Sequence, residues 1–350
     1  MTVPIVIRRL GLRSTMKKIV RLCHSTKQKE LFLIGVPFSG GQPRKGVEEG
    51  PARLRKQGLV SKIEKLGYRI SDYGELQVPD IKNQYYSLSN TLVKNPLECG
   101  AVSEKLSQEI AKASLEGKLS LTIGGDHSIA VGSVYGHASV TKDLGLLWVD
   151  AHMDINTSAT TKSGNLHGMP LSMLIKGIPE FQAIPGYEWC SPCLSPKDIA
   201  YIGLRDVEPQ EREICEQLGI ASYTIDDIDK DGIGEIIEKA LEKINPNGDR
   251  PIHVSYDIDS LDPKETPSTG TPVRGGLTLD EGIYIAQIVA QTGCLSAVDM
   301  VEFNPAIGTE EEVTRTAKNT MKLIQILLGK KSHLDKAPLP PVDDSKASSA

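Results

Sequence analysis

Short apolar runs that end on a carboxylate or a histidine constrain this 350-residue chain more than any other feature. Residues 144–149 form one such run, apolar and too short for a helix, which predicts a buried strand. It leads into Asp150-Ala151-His152-Met153-Asp154. In an extended chain, positions i, i+2 and i+4 face the same way, so Asp150, His152 and Asp154 are expected on one side and Met153 in packing on the other. Residues 119–123 lead likewise into Gly124-Gly125-Asp126-His127-Ser128, and residues 252–256 into Asp257-Ile258-Asp259 at the same strand spacing. Bare charges of this kind are too costly to bury, so a cation is expected among them. His127, Asp150, His152, Asp154, Asp257 and Asp259, four Asp and two His without a Cys, suit a hard divalent ion such as Mn2+ better than a structural zinc. Six donor groups exceed the needs of one ion unless some bridge, and two metals sharing a water are the expected arrangement.

Strands are predicted at 31–37, 68–73, 119–124, 144–150, 198–204, 221–225, 252–258 and 295–301. Helical periodicity appears between them. In 231–244, Ile233, Ile236, Ile237, Ala240, Leu241 and Ile244 make one apolar stripe. Another helix starts near Glu310, with Thr309 and Glu312 as a capping box and acids over its first turn. Strand–helix alternation implies an α/β fold with a mainly parallel, about eight-stranded sheet and helices outside. Each donor set then falls at a strand's C-terminal end, where barrels and open sheets both place their sites. Periodicity alone leaves the eight-stranded barrel and the open three-layer αβα sandwich as equal alternatives.

A hydrophobic fraction of 39% supports a large core, in one large domain or two small ones. No window is apolar enough to span a bilayer, and a net charge of −5 does not suggest a nucleic-acid partner. The charge is unevenly spread: residues 1–29 hold eight Lys or Arg and no acid, so the other 32 bases face all 45 acids. A helix with Arg9, Arg13 and Lys17 on one side and Leu12, Met16 and Ile19 on the other has the composition of a mitochondrial transit peptide; a disordered basic arm is the alternative. The segment from Lys331 to Ala350 reads as a disordered tail, which leaves residues 30–330 as the folded domain. Six scattered Cys fit a reducing compartment. Cys190-Ser191-Pro192-Cys193 has redox spacing, but no helix N-terminus follows a strand there, so a surface loop with two thiols is expected.

Gly-Gly-Asp-His-Ser at 124–128, Asp-Ala-His-Met-Asp-Ile-Asn at 150–156, Ser-Gly-Asn-Leu-His-Gly at 163–168 and Ser-Tyr-Asp-Ile-Asp-Ser-Leu-Asp-Pro at 255–263 resemble the ureohydrolase signatures, most closely those of arginases. The resemblance runs from about Leu31 to Gly329 and includes residues 41–51, Gly-Gln-Pro-Arg-Lys-Gly-Val-Glu-Glu-Gly-Pro. It implies the open sandwich, a homotrimer, and hydrolysis of L-arginine to L-ornithine and urea by a hydroxide bridging two Mn2+ ions. By motif, His127, Asp150, Asp154 and Asp257 ligate one ion, and Asp150, His152, Asp257 and Asp259 the other. Asp154 holds the nucleophile's proton, His167 is a proton shuttle, and Glu302 meets the guanidinium. Asn156, Ser163 and Asn165 face the substrate carboxylate, and Thr271 lines the pocket. Glu208, expected at the α-amino group, stands where the family usually has Asp. Met153 is a second departure, since a small residue is usual between the ligands. Two other readings remain: a hydrolase of agmatine or another guanidino compound, against which Ser163-Gly164-Asn165 argues, and a metal-free binding subunit, against which the complete donor set argues. Mitochondrial matrix is the expected location, with the cytoplasm as the alternative.

Overall fold

The computed structural model describes residues 29–336, apart from 80, 82–84, 89–90 and 180–181. The predicted transit segment therefore lies outside the described residues except for Lys29, as do residues 337–350 of the expected tail. The part of that tail within them forms a short turn, His333–Lys336, with Leu334 packed on the core.

Among the described residues ten strands follow in chain order: β1 (Glu30–Val36), β2 (Arg69–Glu75), β3 (Tyr85–Leu88), β4 (Thr91–Lys94), β5 (Leu119–Gly124), β6 (Gly145–Val149), β7 (Ile199–Leu204), β8 (Ala221–Thr224), β9 (Ile252–Asp257) and β10 (Leu295–Val301). All eight predicted strands are among them. They pair in parallel as one sheet in the order β2-β1-β5-β10-β9-β6-β7-β8. Both β2 and β8 remain as edges, so the sheet is open and the barrel is excluded. The addition is an antiparallel hairpin, β3–β4.

Alternate side chains of each central strand feed opposite faces. Leu147 and Val149 join the core under the helices Ile233–Ile244, Leu279–Thr292 and Glu310–Leu327. Leu146 and Trp148 join the other core, under Pro96–Leu115 and Ala130–Val140. The predicted helix over 231–244 starts instead at Ile233, because Gly232 takes φ 81° and parts it from the preceding helix Ile225–Asp231; its apolar stripe packs as expected. The Thr309/Glu312 capping box forms, each residue meeting the other's backbone N–H.

The order of the strands decides where the site lies. After β5 the chain skips to β6, then moves outward through β7 and β8 before returning to fill the gap with β9 and β10. The C-terminal ends of β5, β10, β9 and β6 thus sit side by side at the point where the winding reverses, the crevice in which open parallel sheets bind ligands.

Candidate metal centre

Three of those strands, β5, β6 and β9, deliver metal donors at their C-terminal ends, and β10 delivers Glu302. His127 starts the turn after β5, and its ring stacks on Trp148 of β6 at 4.1 Å. Its Nδ1 lies 3.0 Å from Asp150 Oδ2, 3.1 Å from Asp154 Oδ2 and 3.3 Å from Asp257 Oδ2. That buried nitrogen has a well-aligned hydrogen bond to none of the described residues. On the other side, His152 Nδ1 lies 3.3 Å from both Asp150 Oδ1 and Asp259 Oδ2. Two groups, His127–Asp150–Asp154 and Asp150–His152–Asp259, each bring their donor atoms within 4.8 Å, and they share Asp150.

Convergence is achieved by bends, and here the strand-spacing expectation is corrected. Along a strand, i and i+4 sit about 13 Å apart, too far for one cluster. β6 stops at Val149, and Asp154 takes φ 51°, which folds its carboxylate back toward His127. Asp257 closes β9 and a 3-10 turn, Ile258–Ser260, follows, with the Asp259 N–H donating to Asp257 Oδ1 at 2.8 Å. Met153 is buried in the core, as expected.

The electrostatics call for a cation. Burial, then the Asp150 charge, pushes Asp154 up to about 6. Burial, then Asp259 and Asp150, raises Asp257 well above the carboxylate range. Burial opposes charging of His127, but the three carboxylates around its ring outweigh it and raise its pKa; His152 is raised in the same way, chiefly by Asp259. Asp150 is lowered despite burial, because both imidazoles face it. Four buried carboxylates facing two imidazoles call for positive charge among them, and the donor set fits a pair of divalent cations.

A supporting layer orients these donors. Trp148 Nε1 donates to Asp150 Oδ2 at 3.0 Å, Ser255 Oγ meets His127 Nε2 at 2.9 Å, and Thr271 Oγ1 donates to Asp259 Oδ2 at 2.8 Å. Thr271, expected in the pocket wall, is therefore placed behind a donor. Arg205, after β7, donates to the carbonyls of Gly203, Asp259, Ser260, Leu261 and Val273. Sequence reasoning missed Arg205, Trp148 and Ser255. Alternation did signal the last two, each two residues before a donor.

Glu302, after β10, also takes a left-handed conformation, φ 64°, which a non-glycine residue adopts only under constraint. Its Oε1 accepts from the His127 N–H at 2.9 Å and lies 3.3 Å from His167 Nδ1. Burial opposes charging of His167, but Glu302 outweighs it and raises its pKa.

The remaining predicted residues form a second group. Asn156 Nδ2 donates to Glu208 Oε1 at 3.2 Å, and Glu208 Oε2 lies 2.8 Å from Lys162 Nζ. Ser163 is exposed and its Oγ accepts from the Asn165 N–H, while Asn165 Oδ1 accepts from Lys94 Nζ at 3.0 Å. Lys94 ends the hairpin, which presses so closely on this loop that a Cβ at Gly164 would run into the Leu92 carbonyl. Away from the cluster, burial pushes the Cys190 and Cys193 thiols up to about 12 and about 11, the opposite of an activated redox pair.

Known proteins share this sequence and fold. The arginase family matches residues 29–329. Rabbit Arginase-1 (Oryctolagus cuniculus) is 49% identical over 301 residues, covering 85% of this chain and 92% of that protein. Among solved structures, the arginase of Bacillus caldovelox superposes with a TM-score of 0.78 at 32% identity, over 87% of this chain and 99% of its own. The Entamoeba histolytica arginase in complex with L-ornithine gives 0.77 at 32%, over 87% and 100%. With the family matched over nearly the whole described domain and the donor cluster in place, this chain belongs to the arginase family.

Proposed function

We propose that the protein hydrolyses L-arginine to L-ornithine and urea with two Mn2+ ions per subunit. The observation that carries this is the pair of donor groups sharing Asp150, with the unpartnered His127 Nδ1 facing three carboxylate oxygens. His127, Asp150, Asp154 and Asp257 would hold one ion, and Asp150, His152, Asp257 and Asp259 the other. When bound, the ions supply Lewis acidity and a water that ionises near neutral pH.

The chain's own residues do the rest. Asp154, held beside His127, is suited to carry the water's proton toward the departing amine. Glu302 answers the guanidinium, which never loses its charge, with a buried carboxylate. Its oxygen shared with His167 gives a path for a proton in and out of the site. Asn156, Ser163, Asn165 and Glu208 would read the amino-acid end of the substrate, a reading supported by the contacts of Asn156 with Glu208 and of Ser163 with Asn165.

We also propose that the chain assembles as a homotrimer and that residues 1–29 direct it to the mitochondrial matrix. Eight bases without an acid support the second reading. Urea release from L-arginine, agmatine and 4-guanidinobutyrate should be measured on chelator-treated protein with and without added Mn2+. Release from L-arginine, restored by Mn2+ with two ions bound, is expected; preference for agmatine or indifference to metal would overturn the assignment.

A further inference from the structure

We propose that Lys162, through its ion pair with Glu208, is a specificity-determining residue that reads the substrate's α-carboxylate. This rests on the arginine-hydrolysing reading of the site and assigns a charge that reading does not use. Lys162 Nζ lies 2.8 Å from Glu208 Oε2, while Glu208 Oε1 accepts from Asn156 Nδ2 at 3.2 Å. Asn156 is fixed in turn, because its Oδ1 accepts from Thr160 Oγ1 at 2.8 Å. Glu208 therefore has one oxygen hydrogen-bonded by a neutral amide and the other, without a hydrogen bond of its own, set against the charge of an exposed lysine.

An amino-acid head group is a zwitterion, and its two charges do not separate. A bare Glu208 would attract the α-ammonium group and repel the α-carboxylate group attached to the same carbon. An ion pair removes that conflict. The ammonium group lies against Glu208, the carboxylate against Lys162, and four charges of alternating sign lie side by side. Neutral donors alone would orient a carboxylate without offsetting its charge. The extra methylene of Glu208, relative to the Asp usual in the family, lengthens its reach toward Lys162, so the two features belong together. Lys162 also directly precedes Ser163, within the loop expected to face the carboxylate. Lys94, at the end of β4, packs against that loop but meets Asn165 Oδ1, which leaves the Asn165 amide nitrogen as a donor.

The proposal predicts effects of opposite sign, which a merely structural lysine would not produce. Agmatine keeps the ammonium and lacks the carboxylate; 5-guanidinopentanoate keeps the carboxylate and lacks the ammonium. In Lys162→Gln, the inhibition constant of 5-guanidinopentanoate against L-arginine hydrolysis should rise about 2- to 5-fold, the range an exposed ion pair commands. That of agmatine should fall, because Glu208 is freed. KM for L-arginine should move less than either, with kcat held. Lys162→Arg should keep the wild-type pattern, and raising the salt concentration should narrow the wild-type-to-variant gap. The measurements use the full chain loaded with Mn2+. An unchanged or lowered constant for 5-guanidinopentanoate, or a shift of both inhibitors in one direction, overturns the role of Lys162. Wild-type protein that releases no urea from L-arginine overturns the underlying reading instead.

Discussion

Arg205 offers a sharp test of how the centre is supported. Its guanidinium makes six hydrogen bonds to five backbone carbonyls, from 2.6 Å at Asp259 to 3.3 Å at Leu261. These carbonyls lie on the end of β7, on the turn carrying Asp259, and on the loop that follows Thr271. Arg205→Lys keeps the charge but replaces a planar fork of five donors with one nitrogen that has three. About two carbonyls then lose their partner, at roughly 1–3 kcal/mol each for a buried acceptor. The site is half-buried, so water recovers part of this, and a net cost of about 2–4 kcal/mol is expected. In a domain of this size that lowers Tm by roughly 5–10 °C. Displacing Asp259, with Thr271 behind it, should also weaken the Asp150–His152–Asp259 group selectively, by about 10- to 100-fold in metal affinity. Scanning calorimetry of metal-stripped protein gives the first quantity, and Mn2+ titration gives the second. Unchanged Tm, or equal weakening of both ions, would show that the fork does not hold this turn in place.

Asp257→Ala is expected to abolish hydrolysis and leave fewer than two Mn2+ per subunit; two ions and substantial turnover would remove its bridging role. His167→Ala should keep both ions and slow turnover by roughly 10^2 to 10^4, and metal depletion in that variant would make His167 a ligand. A reporter fused to residues 1–29 should enter mitochondria, and a cytosolic reporter would end that proposal. The buried pair His137–His253, linked on to Asp299, should shape acid stability. Burial, then His253, holds His137 at about 3 against 6.5 unfolded, so its contribution is complete above pH 6.5 and is lost as pH falls toward 3. The slope approaches about 1.4 kcal/mol per pH unit in that window. Chemical denaturation of His137→Gln at several pH values should show that slope reduced; an unaltered slope would refute the assignment.

The six inner parallel strands were legible because strands buried on both faces leave continuous apolar runs, as at 145–149 and 199–204, where every residue is buried. The β3–β4 hairpin escaped because its two four-residue strands carry no such run. The donors were legible as residue types. Their gathering round a cation was legible as well; the bends that achieve it were not, since strand alternation would have spread Asp150 and Asp154 apart. The left-handed conformations at Asp154 and Glu302 have no signature of the kind Gly supplies; they persist because contacts far along the chain hold them. The Leu171 N–H donates to the Asp154 carbonyl, and the Glu302 N–H donates to the Gly125 carbonyl at 2.9 Å. The same reason hides Arg205, Lys94 and Lys162. Arg205 meets Val273 through two nitrogens, Lys94 meets Asn165, and Lys162 meets Glu208, all polar contacts between segments distant in sequence. Hydrophobic burial imposes a period on the chain because neighbouring side chains share a face. A lone hydrogen bond across the crevice imposes none, so the residues that tune such a site become visible only once the strand order has set their partners opposite them.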